Sequence, residues 1–156
     1  MHFQIDYRLT GSGWAECTLS SDSRTCLLTA SYLSDALRNL VLAANGMLAG
    51  FSALTFSFDE EPGEFRWVIT TLRPNEIQVE VLWFPELWGT RPNAEGNSVY
   101  VSSCRPVVFA KAVADAAKRV LDIYGESGYR EKWDEHPFPT AQYTELTSAI
   151  AQLDED

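Results

Sequence analysis

Two short stretches hold most of the groups with which this chain could do chemistry. The first is DEEPGE, Asp59 to Glu64, with four carboxylates in six residues. A calcium ion needs about six to eight oxygens converging on one point. Pro62-Gly63 fits the two central positions of a type II turn, because proline fixes the first φ and glycine permits a positive second one. Such a turn makes the stretch a hairpin tip and splays Asp59 and Glu64 onto opposite arms. The expectation is therefore a solvated tip, with Asp59, Glu60, Glu61 and Glu64 offered to a partner and no metal bound. The second stretch is GYREKWDEHPFP, Gly128 to Pro139, which contains His136, one of two histidines. Neither histidine has a cysteine or a second histidine at ligand spacing.

Nucleophilic catalysis needs a base beside the nucleophile. Cys104, His136 and an acid would make such a set, but nothing in the sequence brings them together, and a free cysteine more often packs as a small apolar residue. Cys17 and Cys26 flank a turn symmetrically, which would allow a disulfide if they face each other. With 22 acids in the chain, any one pair of carboxylates is uninformative about acid–base work. The chain has no GxSxG elbow, P-loop or GxGxxG run. The expected site inventory is thus without catalytic residues, metal or cofactor.

Aromatics offer a different kind of chemistry. In VLWFPELWG, Val81 to Gly89, Trp83 continues an inward alternation and belongs in the core. Phe84 then points the other way, and Trp88 lies beyond Pro85 in a loop. Both either fold under that loop, as large aromatics usually do, or stand out as anchors for a partner, where Trp is enriched. Trp67, Trp83 and Tyr124 are candidates to line a pocket between sheet and helices.

The elements that must position these groups follow from periodicity. Phe3, Ile5, Tyr7 and Leu9 alternate with polar residues, the mark of a strand with one buried face. Ala15, Cys17 and Leu19 alternate against Trp14, Glu16 and Thr18, and Arg24 to Ala30 makes a third strand. The period then changes to that of a helix at Ser31–Gly50, with Leu33, Leu37, Leu40, Val41, Ala44 and Leu48 on one face. Ser31 or Ser34 is placed to cap it and Gly50 to end it. Gly46 inside it costs about 1 kcal/mol relative to Ala. Four more strands follow, around Leu54–Phe58, Phe65–Ile69, Ile77–Trp83 and Ser98–Ser102. Pro106 opens a second amphipathic helix that Gly125 stops. Ala141 to Leu153 forms a last helix, capped by Thr140 and striped by Tyr143, Leu146, Ile150 and Leu153. Short connections imply antiparallel pairing. The fold class is α+β in the order βββ-α-ββββ-α-α, about seven strands covered by two long helices. It forms one domain over 1–153 with an acidic tail, 154–156.

Within GYREKWDEHPFP, Tyr129 and Trp133 fall at i,i+4 and can pack together, and Arg130 and Asp134 can pair. Pro137 and Pro139 hold the end extended. The stretch reads as a strap fastened by Trp133 and Phe138, with Asp134 and Glu135 facing water as candidate partner contacts and His136 a structural or surface residue.

The net charge is −10, with eight acids and two Lys/Arg after Gly125. That balance repels phosphate backbones and favours a basic partner. No secretory signal opens the sequence and no apolar run approaches about 20 residues, so a cytoplasmic protein with reduced thiols and no membrane partner is expected. Homo-oligomerisation stays open.

SYLSDAL, FSFDEEPGEFRW, LWFPELW and GYREKWDEHPFP together resemble a group of bacterial proteins of similar length with no assigned function. The resemblance covers about Tyr32 to Pro139 and implies a bacterial origin, but no reaction. By composition, a small acidic domain of this kind also resembles immunity proteins, which neutralise basic toxins. The reading is a non-catalytic protein-interaction domain. The alternatives are a small-ligand binder or enzyme with a sheet–helix pocket, and a single-strand nucleic-acid binder of whirly-like layout, which the charge disfavours.

Overall fold

The computed structural model describes residues 2–22, 24–86 and 91–155. Alternation in the first thirty residues becomes a three-stranded antiparallel meander, β1 (Phe3–Gly11), β2 (Trp14–Ser21) and β3 (Arg24–Ser31). Phe3, Ile5, Tyr7 and Leu9 are all buried on one face, joined by Ala15, Cys17, Leu19, Leu28 and Ala30. The second meander is β4 (Ala53–Asp59), β5 (Glu64–Arg73), β6 (Glu76–Phe84) and β7 (Asn97–Cys104), paired in sequence order. Three helices, α1 (Ala36–Leu48), α2 (Pro106–Lys132) and α3 (Thr140–Glu155), complete the predicted order. Aromatic pairs join the layers: Phe3 meets Tyr100 of β7 and Phe109 of α2, and Tyr7 meets Phe58 of β4 edge-on.

β1 is an end strand of its meander. An open edge presents unpaired carbonyls and invites foreign strands. Here α2 packs on β1, and two of its side chains cap the edge. Arg119 donates to the Ile5 carbonyl at 2.5 Å, and the Tyr124 hydroxyl donates to that of Leu9 at 3.0 Å.

Several local expectations are corrected. α1 begins at Ala36, and neither Ser31 nor Ser34 caps it. Both serines are spent on the end of β4: the Ser31 hydroxyl donates to the Asp59 carbonyl at 3.0 Å, and the Ser34 hydroxyl accepts from the Asp59 N–H at 3.0 Å. At the hairpin tip the Glu61–Pro62 peptide is cis, and Gly63 is not among the positive-φ glycines, so the turn is not type II. Gly63 is required by space instead, since a Cβ there would come within 2.3 Å of the Phe84 carbonyl oxygen and of the Trp83 ring. Gly46 has a similar reason, with Leu54 2.9 Å from where its Cβ would be.

Gly125 does end the regular helix. Its φ of 68° and ψ of 174° break α2 into a long first part and a short second part. Tyr129 in the second part stacks on Trp133, with ring centres 6.3 Å apart. α3 runs through Glu155, so Asp154 is helical, not tail, and it pairs with Lys111 at 3.3 Å. Leu146 of its stripe is fully buried, whereas Leu153 is exposed. No described helix is long and apolar enough to cross a membrane.

Candidate functional site

The connection from β3 to α1 runs from Ser31, the last residue of β3, to Asp35, and three other parts of the chain are tied to it. Tyr32 N–H donates to the Gly13 carbonyl at 2.9 Å. Ser31 and Ser34 hold Asp59, the first residue of the acidic hairpin tip. The Trp133 indole N–H donates to the Ser34 carbonyl at 3.2 Å. His136 Nε2 lies 3.0 Å from the Tyr32 carbonyl, and its Nδ1 lies 3.8 Å from the Asp35 carboxylate. The two acidic stretches singled out by sequence are therefore brought to one junction. Two aromatics are half exposed at that junction: Trp14, which pairs with Ser31 across β2 and β3, is 38% exposed, and Tyr32 is 39% exposed.

GYREKWDEHPFP behaves as a strap. Trp133 is wholly buried and Phe138 is 5% exposed, while Asp134 and Glu135 face solvent. Phe138 packs edge-on to both Tyr129 and Tyr143. The predicted Arg130–Asp134 pair does not form; Arg130 reaches Glu135 at 3.0 Å. The turn after Trp133 explains the switch. Asp134 and Glu135 adopt φ of 51° and 69°, and the Glu135 N–H folds back to the Arg130 carbonyl. Left-handed φ costs a non-glycine residue about 1–2 kcal/mol. The buried fasteners on either side hold the turn in place.

Both ring nitrogens of His136 face the β3–α1 connection. A carbonyl can only accept, so Nε2 carries the hydrogen toward Tyr32. The other nitrogen faces Asp35, whose carboxyl is pushed up by burial, in spite of His136 and Arg38 nearby. Cys104 lies apart from it, opposite Ile77 at the end of β7, and burial pushes its thiol up to about 11. Such a thiol stays protonated near neutrality and is a poor nucleophile. Cys17 and Cys26 are both free. They do not face each other: Cys17 pairs with Leu28, and Cys26 with Leu19. Burial raises both thiols.

The acidic tip is less solvated than its composition implies. Asp59 and Glu64 are buried, at 8% and 5% exposure. Glu64 accepts from Ser57 at 2.5 Å and pairs with Arg66 at 3.2 Å. Glu60 is half-buried and accepts from the Thr29 hydroxyl. Only Glu61 of the four is exposed. Among the described residues no cluster of His, Cys, Asp or Glu is arranged to hold a metal ion.

Phe84 is not an exposed anchor. It is 2% exposed, on the face of β6 that the returning loop covers. Arg66 lies 4.0 Å above its ring and fixes the loop by donating to the Arg91 carbonyl and the Asn93 side chain. Gly96 closes over the same ring, which would touch any Cβ added there. Trp88 lies outside the described residues. Trp83 is half-buried at the rim against Phe65, with ring centres 4.9 Å apart, and is not in the core as expected. Trp67 is fully buried, stacked on Phe56 and tilted against Phe58, and Tyr124 serves the β1 edge. The structure does not bring these three together around a pocket.

Sequence reasoning missed Trp14 and Tyr32 as surface aromatics. The outward alternation of Trp14 was legible, but its nearness to Tyr32 depends on the β2–β3 register and the Gly13–Tyr32 bond. No family model, curated protein or solved structure matches the chain.

Proposed function

We propose that this chain is a non-catalytic interaction protein of the bacterial cytoplasm that binds a basic partner protein through the surface organised by Ser31–Asp35. Its most concrete form is an immunity protein that neutralises a basic toxin. The observation that supports this reading is that the segments carrying Glu60–Glu61 and Asp134–Glu135 are tied, through Asp59, Trp133 and His136, to one junction that also carries half-exposed Trp14 and Tyr32. Acidic groups at such a surface speed encounter with a basic partner, and aromatic side chains carry much of the affinity once it docks. The charge of −10 acts in the same direction over longer range.

The test is affinity capture at low salt from the native host, followed by titration of the purified partner. A basic protein is expected, with affinity that falls as salt rises. Trp14→Ala or Tyr32→Ala should weaken binding by about 2 kcal/mol or more, the size of an interface hot spot. Glu61→Lys with Glu135→Lys should slow association more than it speeds dissociation. A partner that is acidic, or one whose affinity ignores both salt and the two aromatics, refutes the reading.

A further inference from the structure

Beneath the strap, three buried polar atoms have no protein hydrogen-bond partner: the hydroxyls of Tyr7 and Tyr129 and Oδ1 of Asp35. They come from β1, the second part of α2 and the residue before α1. Both tyrosines are almost completely buried, at 2% and 0% exposure. The three also sense one another. Burial is the first cause that raises the Tyr7 phenol, followed by Tyr129, Cys17 and Asp35; the Tyr129 phenol is raised by burial and then by Asp35. Both phenols are therefore neutral and each carries a hydrogen to donate. An unpaired buried polar group is destabilising, and native interiors leave few of them.

The donor count points to an occupant. Two phenols can donate and one carboxylate oxygen can accept, and none of them hydrogen-bonds another. A water molecule accepts two hydrogens and donates two, and buried waters typically make about three such bonds. We infer that Tyr7, Tyr129 and Asp35 form a binding site for a single ordered water, which accepts from the two phenols and donates to Asp35 Oδ1. The water joins the first strand, the start of α1 and the strap helix at a point where no direct bond does. It acts alongside the Trp133–Ser34 and His136–Tyr32 bonds, and it gives the strap a polar attachment inside the core as well as at the surface.

The first test uses the unaltered protein. A crystal structure at about 1.8 Å or better should show one isolated density peak about 2.7–3.0 Å from all three oxygens, the spacing of an O–H···O bond. Direct contact between the phenols and the carboxylate with no such peak overturns the proposal. The second test is the pair Tyr7→Phe and Tyr129→Phe. A bound water makes each hydroxyl stabilising, so each variant should lower the folding equilibrium constant about five- to tenfold. The double variant should lose less than the product of the two, because both act through one water. If the hydroxyls are simply unsatisfied, either replacement relieves a buried polar group and leaves the protein as stable or more so, which overturns the proposal even if the crystals are poor.

Discussion

Replacing Trp133 by alanine tests whether the strap is fastened by burial. Trp133 is wholly buried, stacks on Tyr129 and donates its indole N–H to Ser34. Truncating a buried tryptophan to alanine costs about 3–5 kcal/mol in transfer and cavity terms. The lost indole bond adds about 1 kcal/mol, and the Ser34 carbonyl loses a partner. The sum, about 4–6 kcal/mol, is a large part of the roughly 5–15 kcal/mol that holds a domain folded. Urea unfolding followed by tryptophan fluorescence and, separately, by far-ultraviolet dichroism gives the change. The midpoint should fall steeply while the two probes stay coincident, because Trp133 belongs to the same core as both sheets. Glu131→Ala, on an exposed position of the last turn of α2 just before Trp133, is the control and should change stability by no more than about 0.5 kcal/mol. A loss below about 1.5 kcal/mol for Trp133→Ala would mean that its site collapses freely and that the strap is not a fastener, against the cost expected of a packed aromatic.

Two further substitutions read the backbone. Asp134→Gly should raise stability by about 0.5–1 kcal/mol, the relief of a left-handed residue less the entropy that glycine loses on folding. It should also weaken the proposed partner contact, so the two effects appear with opposite sign in thermal melts and in binding titrations. Gly63→Ala should cost about 3 kcal/mol or more, because the clashing atom is the backbone oxygen of Phe84, which cannot rotate aside. Gly11→Ala, where an added Cβ meets nothing within 4 Å, should be well tolerated in the same melts.

The strands were legible because each meander buries one face, and a period of two follows directly from that. The strap was legible because proline, glycine and i,i+4 aromatics each have a local conformational effect. Features that depend on distant chain were not. Phe84 carries the outward alternation its sequence implies, yet the loop held by Arg66 returns over it. Asp59 and Glu64 look like exposed acids until the Ser31 and Ser34 side chains close over one and Ser57 and Arg66 over the other. Ser31 and Ser34 have the right chemistry for a helix cap, but a helix-start pattern cannot show that another segment takes their oxygens first.

The junction from Ser31 to Asp35 also fixes a length. Loops usually absorb insertions because little outside them depends on their path. Here Ser31, Tyr32 and Ser34 between them bind Gly13, Asp59, Trp133 and His136, so each bond constrains the position of the next along the chain. One added residue would move at most some of these groups back into place and leave the others facing the wrong partner. The connection therefore acts as a spacer of set size, and its residue count matters as much as its residue types.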